Sequence, residues 1–571
     1  MKNSRFYILF FGIVIVTVIL IGRLFTLQIL KYNFYKELAI NQHQLHKTLL
    51  PERGEIFIKD RFYGSKESSQ LFPLVINRDW FMVYAVPKDI EDKEGAVQSL
   101  SCLLEMDEEE LKTKIYKKND PYEPLQHKVA SETADKINDL NITGIELTSE
   151  KWRYHSAGDF ASHVLGFVGY SEDEKIGQYG IEGYYNKELG GEYGFLEGEK
   201  DTKGRLIAIA RRYLQPAQDG ADLILTIDPN IQFFVEEKLK EVGNYLEAEG
   251  GIIIVMNSKN GAIKALANWP SFDPNQYSEV EDINIFLNPA ISHVFEPGSI
   301  FKPITMAIAL DKKLLTSNTT YEDKGFVKVG VNTIRNSHEG MEGVQTMTQV
   351  LEKSLNTGAV FVQQLIDKNT FRDYLNKFGF SDKTGIDLEG EVAGNLSNLK
   401  SKRDIEFATA SFGQGIAVTP IELVAALGAI ANQGNLMKPY VVEKFVYSNG
   451  KEKIVKPEKV RQVISPEAAS ELTKMLVSVV DNGYGSKAGV KGYFIAGKTG
   501  TAQVPDLQTG TYSNKTIHSF GGFFPAFNPE FVVLVKIDNP KKINFAADSV
   551  GPVFGEIAKY ILSYYEIPPT R

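Results

Sequence analysis

Residues 295–304 read FEPGSIFKPI. Pro297 and Gly298 form a corner, and the apolar stretch KPITMAIAL follows it. Ser299 and Lys302 stand three positions apart behind that corner. On a helix this spacing puts both side chains on one face. A helix that is apolar on nearly every side is a buried one, so a hydroxyl and an amine are expected at the mouth of a core helix. A serine hydroxyl is a weak nucleophile near neutral pH. It needs a base about 3 Å away and a preorganised site for the developing oxyanion. Lys302 is the candidate base, and the positive end of the helix favours the oxyanion.

The Ser-x-x-Lys spacing also occurs at Ser397–Lys400 and at Ser448 and Lys451, both in polar, loop-like sequence. Only Ser299 heads an apolar helix. Two further clusters bear on it. KSLNTGAVFVQQL holds Ser354 and Asn356 two positions apart, whereas Ser258 and Asn260 share that spacing inside a hairpin turn. GYFIAGKTGTAQV sets Lys498, Thr499, Gly500 and Thr501 on a strand, whereas Lys383, Thr384 and Gly385 repeat the triplet in a turn between elements. A strand edge offers N–H and C=O groups to an extended peptide, and Gly500 leaves the approach open. One cation and two hydroxyls suit a carboxylate.

Working outward, GGIIIVMNSKNGAIKALAN reads as a hairpin about Asn260-Gly261. LILTI before it reads as an alternating strand, and IQFFVEEKLKEVGNYLEA as an amphipathic helix. Several strands lie close to the C-terminus, and PVFGEIAKYILSYY is a final amphipathic helix. Residues 221–571 are therefore expected to form one large α+β domain, a mixed sheet flanked by helices. Residues 26–220 alternate short strands with charged helices, an elongated α+β pedestal without a catalytic cluster, in which Glu182 is a structural ion-pair partner. Within it, a strand is expected in LLPERGEIFIKDRFYG, punctuated by Pro51, Gly54 and Gly64.

The N-terminus reads MKNSR, then an apolar run to Gly22 that Leu24 and Phe25 extend. Residues 6–25 are expected to be a single transmembrane helix, at 1.5 Å per residue against a hydrocarbon core of about 30 Å. Lys2 and Arg5 keep residues 1–5 cytoplasmic and place the remainder outside. A cleaved signal peptide is the alternative, but RLFTLQILKYN has no small-residue cleavage site. FTLQILKYNFYKELA continues as a helix with an apolar face.

Bulk properties narrow the classes. A chain of 571 residues, 43% hydrophobic, is long enough for several domains. A net charge of -9 with no basic block argues against a nucleic-acid partner. The single cysteine, Cys102, excludes an intrachain disulfide and a cysteine metal site. The eight histidines form no HExxH, and His43 and His46 are expected on a polar face.

In order and spacing, Ser299-Ile-Phe-Lys302, Ser354-Leu-Asn356 and Lys498-Thr-Gly-Thr501 resemble the three active-site motifs of the penicillin-binding serine acyltransferases. GRLFTLQ, PERGEIF, GQYGIEGYY, LTIDPNIQ, GAIKALANWPSFDPN, FGQGIAVTPIEL and IANQGNLMKPYVV extend the resemblance over nearly the whole chain, to class B, monofunctional penicillin-binding proteins of the division type. Ser-Leu-Asn departs from the Ser-Ser-Asn often seen there, and Leu355 should point away from the cleft. The resemblance implies a dimerisation-type pedestal (26–220) and a transpeptidase domain (221–571). It implies that Ser299 attacks the penultimate D-Ala carbonyl of a stem peptide with Lys302 as base. Ser354 relays a proton, and Asn356 orients Lys302 and the substrate amide. Lys498, Thr499, Gly500 and Thr501 bind substrate, and the Ser299 and Thr501 backbone N–H groups form the oxyanion hole. No metal or cofactor is implied. The implied partners are peptidoglycan stem peptides, β-lactams, a membrane glycosyltransferase and division- or elongation-complex proteins, with the chain in the bacterial cytoplasmic membrane and its catalytic domain outside. An elongation role, a hydrolase (β-lactamase or carboxypeptidase) and a scaffold or sensor with dispensable catalysis are the rival readings.

Overall fold

The computed structural model describes residues 3–31, 44–60, 70–118, 120–171, 174–199, 213–337, 340–401, 403–506 and 511–571. Lys2, His43, Gly64 and the continuation of the N-terminal helical stretch beyond residue 31 lie outside the described residues, as does the His46 side chain.

Met1–Arg53 and Gly190–Gly220 form one compact unit. It contains helix α1 (Asn3–Phe25), a following π-helical turn (Thr26–Leu30) and a three-stranded antiparallel sheet of Gln44–Leu49, Gly194–Glu199 and Tyr213–Gln215. The α1 side chains Phe11, Ile15, Ile19 and Leu24 are all exposed. Among the described residues no helix is long and apolar enough to cross a membrane.

The second unit joins Gly54–Leu189 to Ala221–Arg571. Its first sheet is built around β1 (Ile56–Lys59), β2 (Leu71–Ala85), β3 (Glu123–Val129), β4 (Ile145–His155) and β5 (Asp222–Leu225). The long strand β2 pairs with β1, β3 and β4, all antiparallel. β5 runs parallel to β1, Leu223 opposite Ile56, and is flanked on its other side by Val442–Val446. β5 was expected to alternate buried and exposed positions. Instead Leu223, Ile224 and Leu225 are all buried, because the strand is interior to the sheet and covered on both faces. Glu182 is fully buried and accepts from Arg153 Nε at 2.6 Å, the structural ion pair expected of it.

The second sheet has five antiparallel strands. β6 (Gly250–Asn257) and β7 (Ile263–Trp269) form the expected hairpin, with Gly261 at φ +83° in its turn. β8 (Ala496–Asp506), β9 (Thr511–Phe524) and β10 (Phe531–Asp538) complete the order β7-β6-β10-β9-β8, which leaves β8 at an edge. Alternate residues of β6 and β10 face two cores. Ile253, Val255, Val533 and Val535 pack with α2 (Pro229–Leu246) and the C-terminal helix (Ala546–Tyr564). Ile252, Ile254, Val532 and Leu534 pack with α3 (Lys302–Asp311) and the later helix Pro420–Ala431. α2 starts where the Asp228 carboxylate accepts from the Asn230 and Ile231 N–H groups, with Pro229 at the first helical position. In α3, every residue from Lys302 to Leu310 is buried, as its all-round apolar sequence requires.

Candidate active site

Ser299 lies in a 3₁₀ turn, Gly298–Phe301, that runs into α3. The sequence suggested one continuous helix headed by Ser299. The local reason for the difference is Pro303. It has no N–H to return to Ser299 O, so the Lys302 N–H closes the tighter turn on that carbonyl instead. Gly298 sits at φ +62°, and its N–H donates to Gly413 O at 3.0 Å. A side chain there would be strained by the backbone and would meet Ala502 Cβ at 3.0 Å. The turn is therefore seated directly on edge strand β8.

Gly500 is the other half of that contact. A Cβ on it would stand 2.4 Å from Ser519 Oγ, 3.0 Å from Pro297 O and 3.1 Å from Ile300 Cβ. Sequence reasoning gave Gly500 the task of opening the strand to substrate. In the structure its missing side chain lets the Ser299 turn approach the strand.

Lys302 and Lys498 come together inside the molecule, 1% and 0% exposed. Lys302 Nζ donates to Ser354 O at 2.5 Å and lies 3.2 Å from Ser354 Oγ. Lys498 Nζ reaches the same Oγ at 3.1 Å, and Thr499 O and Oγ1 at 3.2 Å each. All these partners are hydroxyls or backbone carbonyls; among the described residues no carboxylate is bonded to either amine. A buried ammonium without a counter-charge gives up its proton more readily. Burial, with Lys498 close by, holds Lys302 well below the usual lysine value, and burial brings Lys498 down to about 7.

Ser354 links two helices. It follows the helix Met347–Glu352, adopts φ +56°, and precedes α4 (Asn356–Gln364). A left-handed serine is a strained position that its surroundings must hold. Leu355 is fully buried in the main core and anchors the segment. Asn356 Nδ2 donates to Arg335 O at 3.0 Å, not to Lys302. Thr499 is buried and Thr501 exposed on β8. Thr501 Oγ1 accepts from Ala546 N at 3.2 Å, which leaves its own hydrogen for another acceptor. Ser299, second in a 3₁₀ turn, has an N–H with no acceptor inside that turn.

Sequence reasoning missed the supports. Buried Asp323 accepts from Thr357 Oγ1 at 2.6 Å and from Asn336 Nδ2 and Glu342 N, tying the hairpins before α4 to its first turn. Glu296 accepts from Gly415 N and from Tyr512 Oη, each at 2.9 Å, and braces the Ser299 turn from the other side. Glu296 stood inside the opening motif; for Asp323, 34 residues before Thr357, no spacing rule signals the contact. Among the described residues no group of three or more His, Cys, Asp or Glu is placed to hold a metal ion.

Family models match in two blocks: the penicillin-binding protein transpeptidase domain over residues 251–559 and the penicillin-binding protein dimerisation domain over residues 48–225. The chain belongs to the class B penicillin-binding proteins. This penicillin-binding protein is 34% identical over 577 residues to stage V sporulation protein D of Bacillus subtilis, covering all of this chain and 87% of that one. It is 28% identical over 576 residues to the probable peptidoglycan D,D-transpeptidase PenA of Neisseria gonorrhoeae, covering 100% and 94% of the two chains. Its fold is shared with penicillin-binding protein 3 of Mycobacterium tuberculosis, solved in complex with aztreonam, at a TM-score of 0.71 and 24% identity over 92% of this chain and 98% of that one.

Proposed function

We propose that this protein is a membrane-anchored, active-site-serine D,D-transpeptidase that cross-links peptidoglycan stem peptides at the division septum and is trapped by β-lactams. The single observation that carries the reading is the Ser354 hydroxyl shared by two buried amines, next to the Ser299 turn. One amine, Lys302, is held neutral enough to take a proton. The other, Lys498, lies on the edge strand, where a substrate carboxylate supplies the missing counter-charge.

In this reading Ser299 Oγ attacks the penultimate D-Ala carbonyl while Lys302 accepts its proton. The Ser299 and Thr501 N–H groups stabilise the oxyanion. Ser354 passes a proton to the leaving amine, terminal D-Ala departs, and the acyl group stays on Ser299. An amine of a neighbouring stem peptide then takes the acyl group and restores the serine. Lys498, Thr499 and Thr501 hold the terminal carboxylate, and Asn356 receives the substrate amide. The exposed apolar side chains of α1 support an N-terminal anchor, with the catalytic part outside the cytoplasmic membrane. The anchor and the 26–220 region would dock a membrane glycosyltransferase of the division machinery.

Ser299→Ala is the test. The variant should lose labelling by fluorescent penicillin and fail to support cross-linking in cells that depend on it. Normal growth and cross-linking with that change would replace the enzyme by a scaffold. Rapid turnover of a chromogenic β-lactam by the parent, instead of stoichiometric trapping, would make it a hydrolase.

A further inference from the structure

The C-terminal helix, Ala546–Tyr564, starts without a cap of its own. Phe545 precedes it, and an apolar side chain offers no acceptor to the free N–H groups of a first turn. The Ala546 N–H is met instead by Thr501 Oγ1 of strand β8, at 3.2 Å. That bond also sets the direction of the Thr501 hydroxyl. One lone pair faces the helix, so the hydrogen is turned away from it. Thr501 is exposed, and the hydrogen is free to meet a ligand.

His518 is the residue directly opposite Thr501 on the neighbouring strand β9. Opposed residues of an antiparallel ladder project to one face, so its ring lies on the Thr501 side of the sheet. The ring is fully buried. Nδ1 is bonded to Ser549 Oγ at 2.7 Å, and Nε2 lies 3.3 Å from Thr516 Oγ1. Ser549 is itself buried, in the first turn of the C-terminal helix, and its Oγ also reaches Phe545 O at 3.3 Å. Burial lowers His518 to about 4, against the pull of the Asn544 carbonyl, so the ring is neutral near pH 7. The contacts form a closed loop. Thr501 bonds Ala546, one helical turn leads to Ser549, Ser549 bonds His518, and the strand pair leads back to Thr501. While the loop is intact, the helix start is held in register with β8.

We propose that His518 is a positioning residue for substrate binding. Through Ser549 it pins the start of the C-terminal helix, so that the Ala546 N–H holds the Thr501 hydroxyl as a donor to the carboxylate of a stem peptide or β-lactam. The inference rests on the reading that Lys498, Thr499 and Thr501 hold that carboxylate. The experiment uses the full-length protein in detergent. It measures second-order trapping constants for benzylpenicillin and for its methyl ester, in which the carboxylate is masked. His518→Leu keeps much of the bulk of the ring without a polar atom, and Ser549→Ala removes the other end of the bond. His518→Asn returns a donor and an acceptor near the Nδ1 position. The Leu and Ala variants are expected to lose about tenfold with benzylpenicillin and less than about twofold with the ester, and His518→Asn to recover most of the loss. Thermal melting reports that each variant is folded, and Ser549→Ala carries the same comparison if His518→Leu does not fold. Equal losses with acid and ester would make His518 a support of the fold alone and overturn the inference. So would parental trapping of benzylpenicillin in the folded Leu and Ala variants. A parent that is not acylated, or that traps acid and ester alike, counts against the reading of the carboxylate cradle instead.

Discussion

Lys498→Gln removes one of two buried amines and nearly preserves side-chain length. In the parent, both Nζ atoms bond the Ser354 hydroxyl, at 3.2 and 3.1 Å, so they are no more than about 6.3 Å apart with the two bonds laid end to end. Two unit charges at that distance repel by about 2.6 kcal/mol at an effective dielectric of about 20, or about two pH units. Both amines are equally buried and each repels the other's charge; in the proposed mechanism Lys302 is the neutral one, with Lys498 charged to meet the substrate carboxylate. Acylation requires neutral Lys302, so its rate rises with pH and the acid limb marks the Lys302 titration. Without Lys498 the Lys302 ammonium is easier to keep, its pKa rises, and the limb moves to higher pH by about two units. The plateau also drops, because a charged hydrogen bond to the substrate carboxylate, about 1.5–3 kcal/mol, is lost. The assay is rapid-quench trapping of a fluorescent penicillin from about pH 5 to about pH 9, read by intact mass. A limb that stays in place, or moves to lower pH, in a folded variant would refute the coupling of the two lysines.

Gly500→Ala should slow trapping about a hundredfold by displacing the Ser299 turn, while the melting temperature falls by no more than about 2–4 °C for each kcal/mol of stability lost; trapping at the parental rate would show that the turn does not depend on this close approach. Leu355→Ala opens a cavity beneath the strained Ser354 and should cost about 2–5 kcal/mol in denaturant unfolding. A loss below about 1 kcal/mol would mean that Leu355 does not anchor the segment.

The candidate site was largely legible because its motifs are local. Three-residue spacing at the start of an apolar stretch placed Ser299 and Lys302 on one turn, and the Lys498–Thr501 segment was visibly a strand. The amphipathic α2 and the hairpin about Gly261 were legible for the same reason. What escaped depends on distant partners. β5 pairs in parallel with β1 from 167 residues away, which no local period records. The 3₁₀ start of the Ser299 turn follows from Pro303, a residue in plain view whose missing N–H decides the geometry. The packing role of Gly500 appears only once Ser519, Pro297 and Ile300 converge on it. Asp323 and Tyr512 brace the site from segments without a motif of their own.

The central claim is that a lysine deep in the core draws the hydrogen from the serine ahead of it and makes that serine the acyl carrier. Proteolytic peptide mapping of the protein after brief exposure to penicillin tests this most directly. One adduct per chain on the peptide containing Ser299, absent when Lys302 is changed to methionine in a protein that still folds, is the predicted result. An adduct on Ser354 or any other side chain, or undiminished labelling of Ser299 without Lys302, would contradict it.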